Sequence, residues 1–165
     1  MADLVIDRAQ PADVAGITTI FNEAITYTAA VWYDEPRTEA DMSTWIADRT
    51  RAGQPFLVAR LDGQVVGFTT YGQFRPWPGY RHSVELSIFV DGGHRRQGIG
   101  RQLVTTLLDE ARQAGVHVII AGIEADNEAS LELHRRLGFV EVGRMPEVGK
   151  KFNRWLTLVL MQRML

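Results

Sequence analysis

A carboxylate and a run of glycine and arginine lie close together in this chain. Glu85 stands in the apolar stretch 84–90, which is typical of a buried strand. The segment 95–101 follows, reads Arg-Arg-Gln-Gly-Ile-Gly-Arg, and opens an amphipathic helix. Backbone N–H groups at a helix start, with guanidinium groups beside them, form a site for pyrophosphate. The pattern therefore indicates an enzyme that uses a phosphate-bearing cosubstrate.

The composition is that of an ordinary globular chain of 165 residues, with 45% hydrophobic and 23% charged residues. This length predicts a single domain over residues 1–165, large enough to close one core. The net charge of −2 gives no reason to expect a nucleic-acid partner. No apolar run approaches the ~20 residues that span a bilayer, and the first residues lack the features of a secretory signal. We therefore expect a cytoplasmic protein without a membrane partner.

Cysteine is absent from the sequence. Disulfides, cysteine-based zinc sites and a thiol nucleophile are excluded, and with them a covalent acyl-cysteine intermediate. His82, His94 and His117 are too scattered along the chain to suggest a metal site, and we expect none.

Hydrophobic periodicity predicts a mixed α/β arrangement of about seven strands and about four helices. Asp62-Gly63 predicts a hairpin between two of the strands. Thr38 with Asp41 resembles a capping pattern before the second helix. The strands are predicted at 4–8, 56–60, 65–71, 83–90, 116–121, 139–142 and 155–161.

Two motifs, in this order along the chain, resemble the GNAT superfamily of acetyl-CoA-dependent N-acetyltransferases. The segment 95–100, Arg-Arg-Gln-Gly-Ile-Gly, matches that family's Q/R-x-x-G-x-G/A signature. The segment 127–139, which starts Asn-Glu-Ala-Ser and closes on Leu-Gly-Phe, matches its downstream pattern. The resemblance implies the GNAT fold, an α/β fold with a central, mostly antiparallel and splayed sheet flanked by helices.

A narrower similarity is to the phosphinothricin and methionine sulfone or sulfoximine N-acetyltransferase branch. It rests on the segments 21–24, 30–32, 74–77, 84–85 and 145–156. Tyr33 and Thr157 stand where that branch often has Asn and Asp. The similarity implies acetyl transfer from acetyl-CoA to the α-amino group of a small amino-acid analogue, in a ternary complex, by a homodimer.

The resemblance also implies where the acyl carrier binds. N–H groups of the segment 96–101 would hold the pyrophosphate of coenzyme A, and the strand backbone at 88–90 would hydrogen-bond its pantetheine arm. On spacing alone, the segment is equally a plain strand-to-helix turn with a solvated pair of arginines. The residues expected to bind the carrier are Ile88, Phe89, Val90, Arg95, Arg96, Gln97, Gly98, Ile99, Gly100, Arg101 and Asn127.

Acetylation of an amine needs a proton acceptor, because an α-amino group is largely protonated near neutrality and only the neutral amine is a nucleophile. Glu85 is the candidate base, since a carboxylate in an apolar strand has a raised pKa. The alternatives are that Glu85 binds the substrate's ammonium group or pairs structurally with an arginine. His134 stands where many relatives place a tyrosine, so it is a candidate catalytic acid for the leaving thiolate. A packed helix histidine is its alternative.

The acceptor is expected at the aromatic loop 74–81. Arginine is the natural fork for an amino-acid carboxylate, which Arg75 and Arg81 would provide. Trp32 and Trp77 would wall a pocket for a compact polar side chain, and simple packing of the loop is the alternative. The residues expected to bind the acceptor are Trp32, Arg75, Pro76, Trp77, Tyr80, Arg81 and Glu85.

Two other functions remain open on the sequence. A non-catalytic acetyl-CoA sensor would keep the glycine–arginine turn but would not need Glu85 or Arg75. An acetyltransferase acting on protein N-termini or lysines would take a larger acceptor. The paired arginines fit a free carboxylate better than a peptide, and no acidic cluster suited to a basic tail is evident.

Overall fold

The computed structural model describes residues 3–165, which form seven strands and four α-helices. The strands are β1 (Leu4–Arg8), β2 (Phe56–Leu61), β3 (Gln64–Gln73), β4 (Ser83–Val90), β5 (Val118–Glu124), β6 (Val140–Lys151) and β7 (Arg154–Met164). The helices are α1 (Val14–Tyr27), α2 (Glu39–Arg51), α3 (Ile99–Gln113) and α4 (Glu128–Arg136). The number and kinds of predicted elements are confirmed. A single domain over residues 1–165 stays a prediction, and its first two residues lie outside the described part.

All seven strands join one sheet in the order β1-β2-β3-β4-β5-β7-β6. Neighbouring strands pair antiparallel, except β4 and β5, which are parallel. The strands β6 and β1 form the two edges of the sheet. The predicted mostly antiparallel sheet is therefore confirmed.

Two apolar clusters cover the two faces of this sheet. One is formed by α3 and α4, with Leu103, Leu107 and Leu131 fully buried against the strands. The other is formed by α1 and α2, with Ile17 and Met42 buried. Burial of each such side chain stabilises the fold by roughly 1.5–3 kcal/mol. The core thus fixes the sheet between two helical layers.

The alternation of side chains along β4 decides which face the candidate carboxylate occupies. Val84 and Leu86 belong to the cluster under α3, whereas Phe89 packs against the cluster under α1 and α2. Successive strand residues point to opposite faces. Glu85 therefore lies on the α1–α2 face, together with Ser87 and Phe89.

The local signals in the sequence form as predicted at two places. The Thr38 hydroxyl accepts a hydrogen bond from the Asp41 N–H, and the Asp41 carboxylate accepts one from the Thr38 N–H. This reciprocal pair is a capping box, which starts α2. Asp62 and Gly63 have φ angles of 49° and 84°, as a two-residue hairpin turn of type I′ requires.

The predicted ends of the last three strands are wrong. The strand predicted at 116–121 starts two residues later and runs to Glu124. The strand predicted to end at Val142 continues to Lys151, across an irregularity between Met145 and Gly149. Pro146 lies within this stretch, where an edge strand tolerates proline. Phe152 and Asn153, with φ angles of 52° and 56°, form the tight turn into β7, which runs to Met164.

The loop between α1 and α2 is packed onto β6. The ammonium group of Lys151 is buried and donates hydrogen bonds of 2.7 Å to the carbonyls of both Thr28 and Val31. Burial lowers the pKa of this lysine. The Trp32 ring lies over Gly149, where a Cβ atom would stand 2.4 Å from the ring. A glycine is needed at 149 for this close approach, and β6 thus holds the first half of the loop.

Candidate active site

The two parallel strands separate beside Glu85. Three residue pairs join β4 to β5: Ser83 with Val118, Val84 with Ile119, and Glu85 with Ile120. Beyond Glu85, β4 remains paired to β3 as far as Val90, and β5 remains paired to β7. Within the described chain, the facing edges of 86–90 and 121–124 have no strand partner. The sheet is splayed there, as predicted, and the unpaired edge of β4 runs past Ile88, Phe89 and Val90, the residues predicted to bind the carrier.

Glu85 sits at the last rung before this gap, half-buried on the α1–α2 face. Its carboxylate lies 3.1 Å from the point where a Cβ atom on Gly122 would stand, so the glycine leaves it room. Burial raises the pKa of Glu85, and the positive charge of Arg75 acts in the opposite direction. A carboxylate with a raised pKa is a stronger proton acceptor than an ordinary surface glutamate.

The turn before α3 presents backbone N–H groups outward. Arg96 and Gly98 have φ angles of 62° and 80°, and α3 begins without a side-chain cap. The first N–H group bonded within the helix is that of Gln102, which donates to the Gly98 carbonyl. The N–H groups of the three preceding helix residues, 99–101, are therefore available to an anion.

Arginine side chains surround those N–H groups. Arg95, Arg96 and Arg101 are exposed, and none of them forms an ion pair with the described acidic residues. Gln97 is exposed in the same turn. Gly100 lies where a Cβ atom would meet Leu133 of α4 at 3.4 Å, so α4 packs closely against the start of α3. The donors and charges present suit a diphosphate group.

Asn127 and His134 lie on α4. The side-chain oxygen Oδ1 of Asn127 accepts a hydrogen bond of 3.2 Å from the Ser130 N–H, which caps the helix. His134 is buried, its Nδ1 lies 2.7 Å from the Ser130 carbonyl, and burial lowers its pKa. A carbonyl only accepts, so Nδ1 carries the proton and Nε2, buried without a partner, has a lone pair. In this state His134 can accept a proton but has none to give at Nε2.

The loop 74–81 connects the end of β3 to the start of β4 and contains residues predicted to bind the acceptor. Gln73 donates hydrogen bonds to the carbonyls of Arg75 and Trp77, and Arg81 donates to the carbonyl of Pro78. The Arg75 guanidinium lies 4.2 Å from the centre of the Phe74 ring and is exposed. Trp77 and Tyr80 are exposed, with ring centres 6.2 Å apart. Hydrogen bonds from side chains to backbone carbonyls thus order the loop, and the Arg75, Trp77 and Tyr80 side chains remain exposed.

Trp32 takes a different place from its neighbour. Its indole N–H donates to the Ala29 carbonyl, and its ring fills the space against Gly149. Tyr33, and not Trp32, lines the cavity between the α1–α2 loop and β4. Arg49 and Ser87 line that cavity too and were missed from the sequence. Two patterns in the sequence could have indicated them. Ser87 is two residues from Glu85 on the same strand and so shares its face, and Arg49 is one helical turn from Trp45 and so shares its side of the helix.

The described residues 3–165 include no group of three or more His, Asp and Glu side chains placed to hold a metal ion. No helix among them is both long enough and apolar enough to cross a membrane.

The arrangement of splayed strands, glycine turn and helix agrees with a known family. The model of the acetyltransferase (GNAT) family matches residues 17–139, which is most of the chain. The chain belongs to the GNAT acetyltransferase family. Its predicted fold and family are therefore confirmed.

Similar proteins place the chain more narrowly within this GNAT family. The L-amino acid N-acyltransferase MnaT of Escherichia coli is 47% identical over 154 residues, covering 93% of this chain and 90% of that protein. The L-methionine sulfoximine/L-methionine sulfone acetyltransferase of Salmonella typhimurium is 43% identical over 159 residues, covering 96% and 93%. A solved phosphinothricin acetyltransferase from Sinorhizobium meliloti, in complex with AcCoA, has a TM-score of 0.95 at 34% identity, covering 98% of this chain and 88% of that chain. The predicted similarity to this branch is confirmed.

Replacing Gly98 with alanine tests the turn before α3. A residue with a Cβ atom pays roughly 1–2 kcal/mol in the left-handed conformation that Gly98 adopts. The turn should shift, and the affinity for coenzyme A should fall about tenfold. Isothermal titration with coenzyme A measures this.

Gly92→Ala is the matched control within the same turn. Its Cβ atom would meet nothing within 4 Å, and its φ angle is not left-handed, so binding should not change. Equal affinities of wild type and Gly98→Ala would show that the turn does not hold the carrier.

Proposed function

We propose that this protein is an acetyl-CoA-dependent N-acetyltransferase acting on the α-amino group of a small amino-acid analogue, of the methionine sulfone, methionine sulfoximine or phosphinothricin type. The observation that carries the proposal is Glu85, a carboxylate with a raised pKa at the point where β4 and β5 separate. The named activities of the relatives support the acceptor class.

The acyl carrier would bind along the splay. The N–H groups of 99–101, with Arg95, Arg96 and Arg101, would take its diphosphate. The free edge of β4 at 88–90 would bond its extended arm as an additional strand does. This binding mode would place the reactive end of the carrier, which supplies an activated acetyl group, beside Glu85.

Glu85 would accept the proton of the acceptor's amine. The neutral nitrogen attacks the thioester carbonyl, so the C–N bond forms while the C–S bond breaks. Glu85 takes one proton from the ammonium before the attack, directly or through a water. The nitrogen loses a second proton as the C–S bond breaks, and that proton, relayed by water, protonates the leaving thiolate. A backbone N–H of β4 would stabilise the negative charge on the carbonyl oxygen. His134, neutral and buried, would accept a hydrogen bond from the product thiol.

The transfer is direct in this proposal. The sequence has no cysteine to form an acyl-enzyme. The amine and the carrier would therefore occupy the site together, with the acceptor entering from the α1–α2 face and the carrier from the gap.

Arg75 would bind the acceptor's carboxylate. It lies in the loop that leads into β4, and its charge opposes the rise that burial causes in the pKa of Glu85. We therefore assign it the carboxylate end of an amino acid whose ammonium group lies at Glu85. A guanidinium makes two parallel hydrogen bonds to a carboxylate. Arg81, Trp77 and Tyr80 border the same loop and would close over the substrate.

The protein would act as a homodimer. β6 is an edge strand whose outer side carries exposed apolar residues, with Val140 60%, Val142 53% and Val148 47% exposed. Long apolar edge strands are otherwise avoided, since they pair with other chains. A second copy of this chain is the proposed partner. A cytoplasmic location and the absence of nucleic-acid and membrane partners remain predictions.

Glu85→Gln should lower kcat by about two to four orders of magnitude, because the amide cannot accept the proton. The KM for acetyl-CoA should stay near that of wild type. In wild type, kcat should fall as the pH drops through the raised pKa of Glu85, and this limb should vanish in the variant. Thiol release is the assay, and Glu110→Gln, in a surface ion pair with Arg8, is the control. Equal losses in turnover and carrier affinity would contradict the role of Glu85.

Arg75→Ala should raise the KM for methionine sulfone about tenfold, the usual worth of a charge-assisted hydrogen bond. The KM for the corresponding amine, which has the same side chain but no carboxylate, should not change. Arg112→Ala, at a surface ion pair with Asp109, provides the control. Steady-state kinetics with both acceptors measure the difference. An unchanged KM for the sulfone would remove Arg75 from the carboxylate site.

Light scattering coupled to size-exclusion chromatography should give twice the mass of the chain. Val142→Glu should reduce it to one chain, because a buried unpaired carboxylate disfavours the contact. Val5→Glu, at an exposed position on the opposite edge strand β1, should stay dimeric. A wild-type monomer at micromolar concentration would refute the homodimer.

A further inference from the structure

A cavity of about 280 Å³ lies between the α1–α2 loop, α2 and β4. It opens on the sheet face that carries Glu85, since Ser87 and Phe89 form its floor. Its walls combine aromatic side chains with charged ones. The lining residues that bear on its chemistry are Phe21, Tyr33, Arg37, Asp41, Trp45 and Arg49.

Arg49 is the charged side chain of this cavity that has no carboxylate partner among the described residues. Its Nε is buried without any hydrogen-bond partner, and its Nη1 has only a long contact of 3.4 Å with the side chain of Gln54. No described Asp or Glu forms an ion pair with it, and the adjacent Asp48 pairs with Arg51 instead. A half-buried guanidinium with unused donors is costly unless a ligand supplies oxygen atoms.

The guanidinium lies flat on the backbone of Gly72. A Cβ atom at 72 would stand 2.5 Å from Nη1 and 2.6 Å from both Cζ and Nη2. The near-equal distances place all three atoms over one point, so the plane of the group faces the strand. Gly72 therefore gives Arg49 its position, and any larger residue there would push the guanidinium away.

The strand register places Arg49 beside the chemistry. Gly72 of β3 is paired directly with Glu85 of β4. Directly opposed residues of an antiparallel pair share one face, about 5 Å apart. Ser87, the next residue of β4 on that face, lies about 7 Å farther along. An amine at Glu85 can thus extend its side chain over Ser87, alongside the Arg49 guanidinium.

Charge and shape specify what such a side chain carries. Arg37 and Asp41 lie 3.7 Å apart and offset each other, which leaves Arg49 as the uncompensated charge. Phe21, Trp45 and Phe89 would cover a short apolar stem. A carboxylate on the α-carbon would stay beside Glu85 and Arg75, whereas the cavity receives the far end of the molecule.

We propose that Arg49 is a specificity-determining residue that hydrogen-bonds oxygen atoms at the end of the acceptor's side chain, as in a sulfone, sulfoximine or phosphinate. The inference rests on the proposed function and adds a second recognition point to it. Arg75 would bind the carboxylate end, and Arg49 the oxidised end. An acceptor without side-chain oxygen atoms would leave the Arg49 donors unpaired, and the enzyme would discriminate against it.

The test compares L-methionine sulfone with L-methionine, which has the same stem without the oxygen atoms. Arg49→Met should raise the KM for the sulfone about 10- to 100-fold, the range for charge-assisted hydrogen bonds. The KM for methionine, or its inhibition constant where it is not acetylated, should change less than about twofold, a limit well below one such bond. Arg49→Lys should fall between wild type and Arg49→Met, because it keeps the charge but loses the planar fork.

Gly72→Ala is a second, independent variant. It keeps the arginine at 49 but displaces its guanidinium with the new Cβ atom, so it should reproduce the selective loss for the sulfone. Arg51→Met, on the exposed side of the same helix, should behave as wild type. Thermal melting and the KM for acetyl-CoA verify that each variant is folded.

Three results would overturn the inference. Equal effects on sulfone and methionine would mean that Arg49 only supports packing. Loss of the effect when the acceptor's carboxylate is removed would assign Arg49 to the carboxylate. A wild type that acetylates none of these acceptors would overturn the proposed function together with the inference. An active wild type whose Arg49 variants show no selective rise in the KM for the sulfone would overturn the inference alone.

Discussion

The site depends on where the ladder between β4 and β5 stops. Both strands stay paired on their outer sides, so the facing edges are held in place although nothing bonds them to each other. Buried or half-buried backbone groups need partners. A ligand that lies between the strands satisfies them, and the last rung before the gap carries Glu85. In the proposed mechanism, binding of the extended carrier and proton transfer would thus both depend on one change in strand pairing.

The acceptor side is held by contacts from the far end of the chain. Lys151 of β6 bonds two carbonyls of the α1–α2 loop, and Gly149 receives the Trp32 ring. Loss of the ammonium group would leave two carbonyls without their donor. The cavity beside Glu85 therefore keeps its shape through the β6–β7 hairpin, which is also the exposed edge of the sheet. The shape of the cavity therefore depends on contacts made by the edge strand β6.

Local charge, and not the net charge of −2, describes how this protein meets anions. Arg95, Arg96 and Arg101 lie at the start of α3 without acidic partners among the described residues, and Arg49 lines the cavity without one. Most other arginines are neutralised by neighbours, such as Arg60 by Asp13 and Arg136 by Glu132. Because exposed ion pairs contribute little to stability, these pairings matter mainly in defining which cations remain available.

The sequence alone determined the elements with strong local signals. The capping box at Thr38, the Asp62-Gly63 turn and the glycine turn before α3 depend on residues within a few positions of each other, so their types suffice. The raised pKa of Glu85 also follows, since an apolar strand is buried wherever it packs. The extent of β6 did not follow, because Pro146 and an irregular register are tolerated only at a sheet edge.

Only the tertiary structure decided which side chains share the cavity. Arg49 lies over Gly72, and Gly72 stands opposite Glu85, through contacts between residues far apart in the chain. Trp32 turns to β6 while Tyr33 faces the cavity, a choice made by Gly149. Local residue patterns encode turns, caps and periodicity, but strand order, register and the partners of a buried charge arise from packing between distant segments.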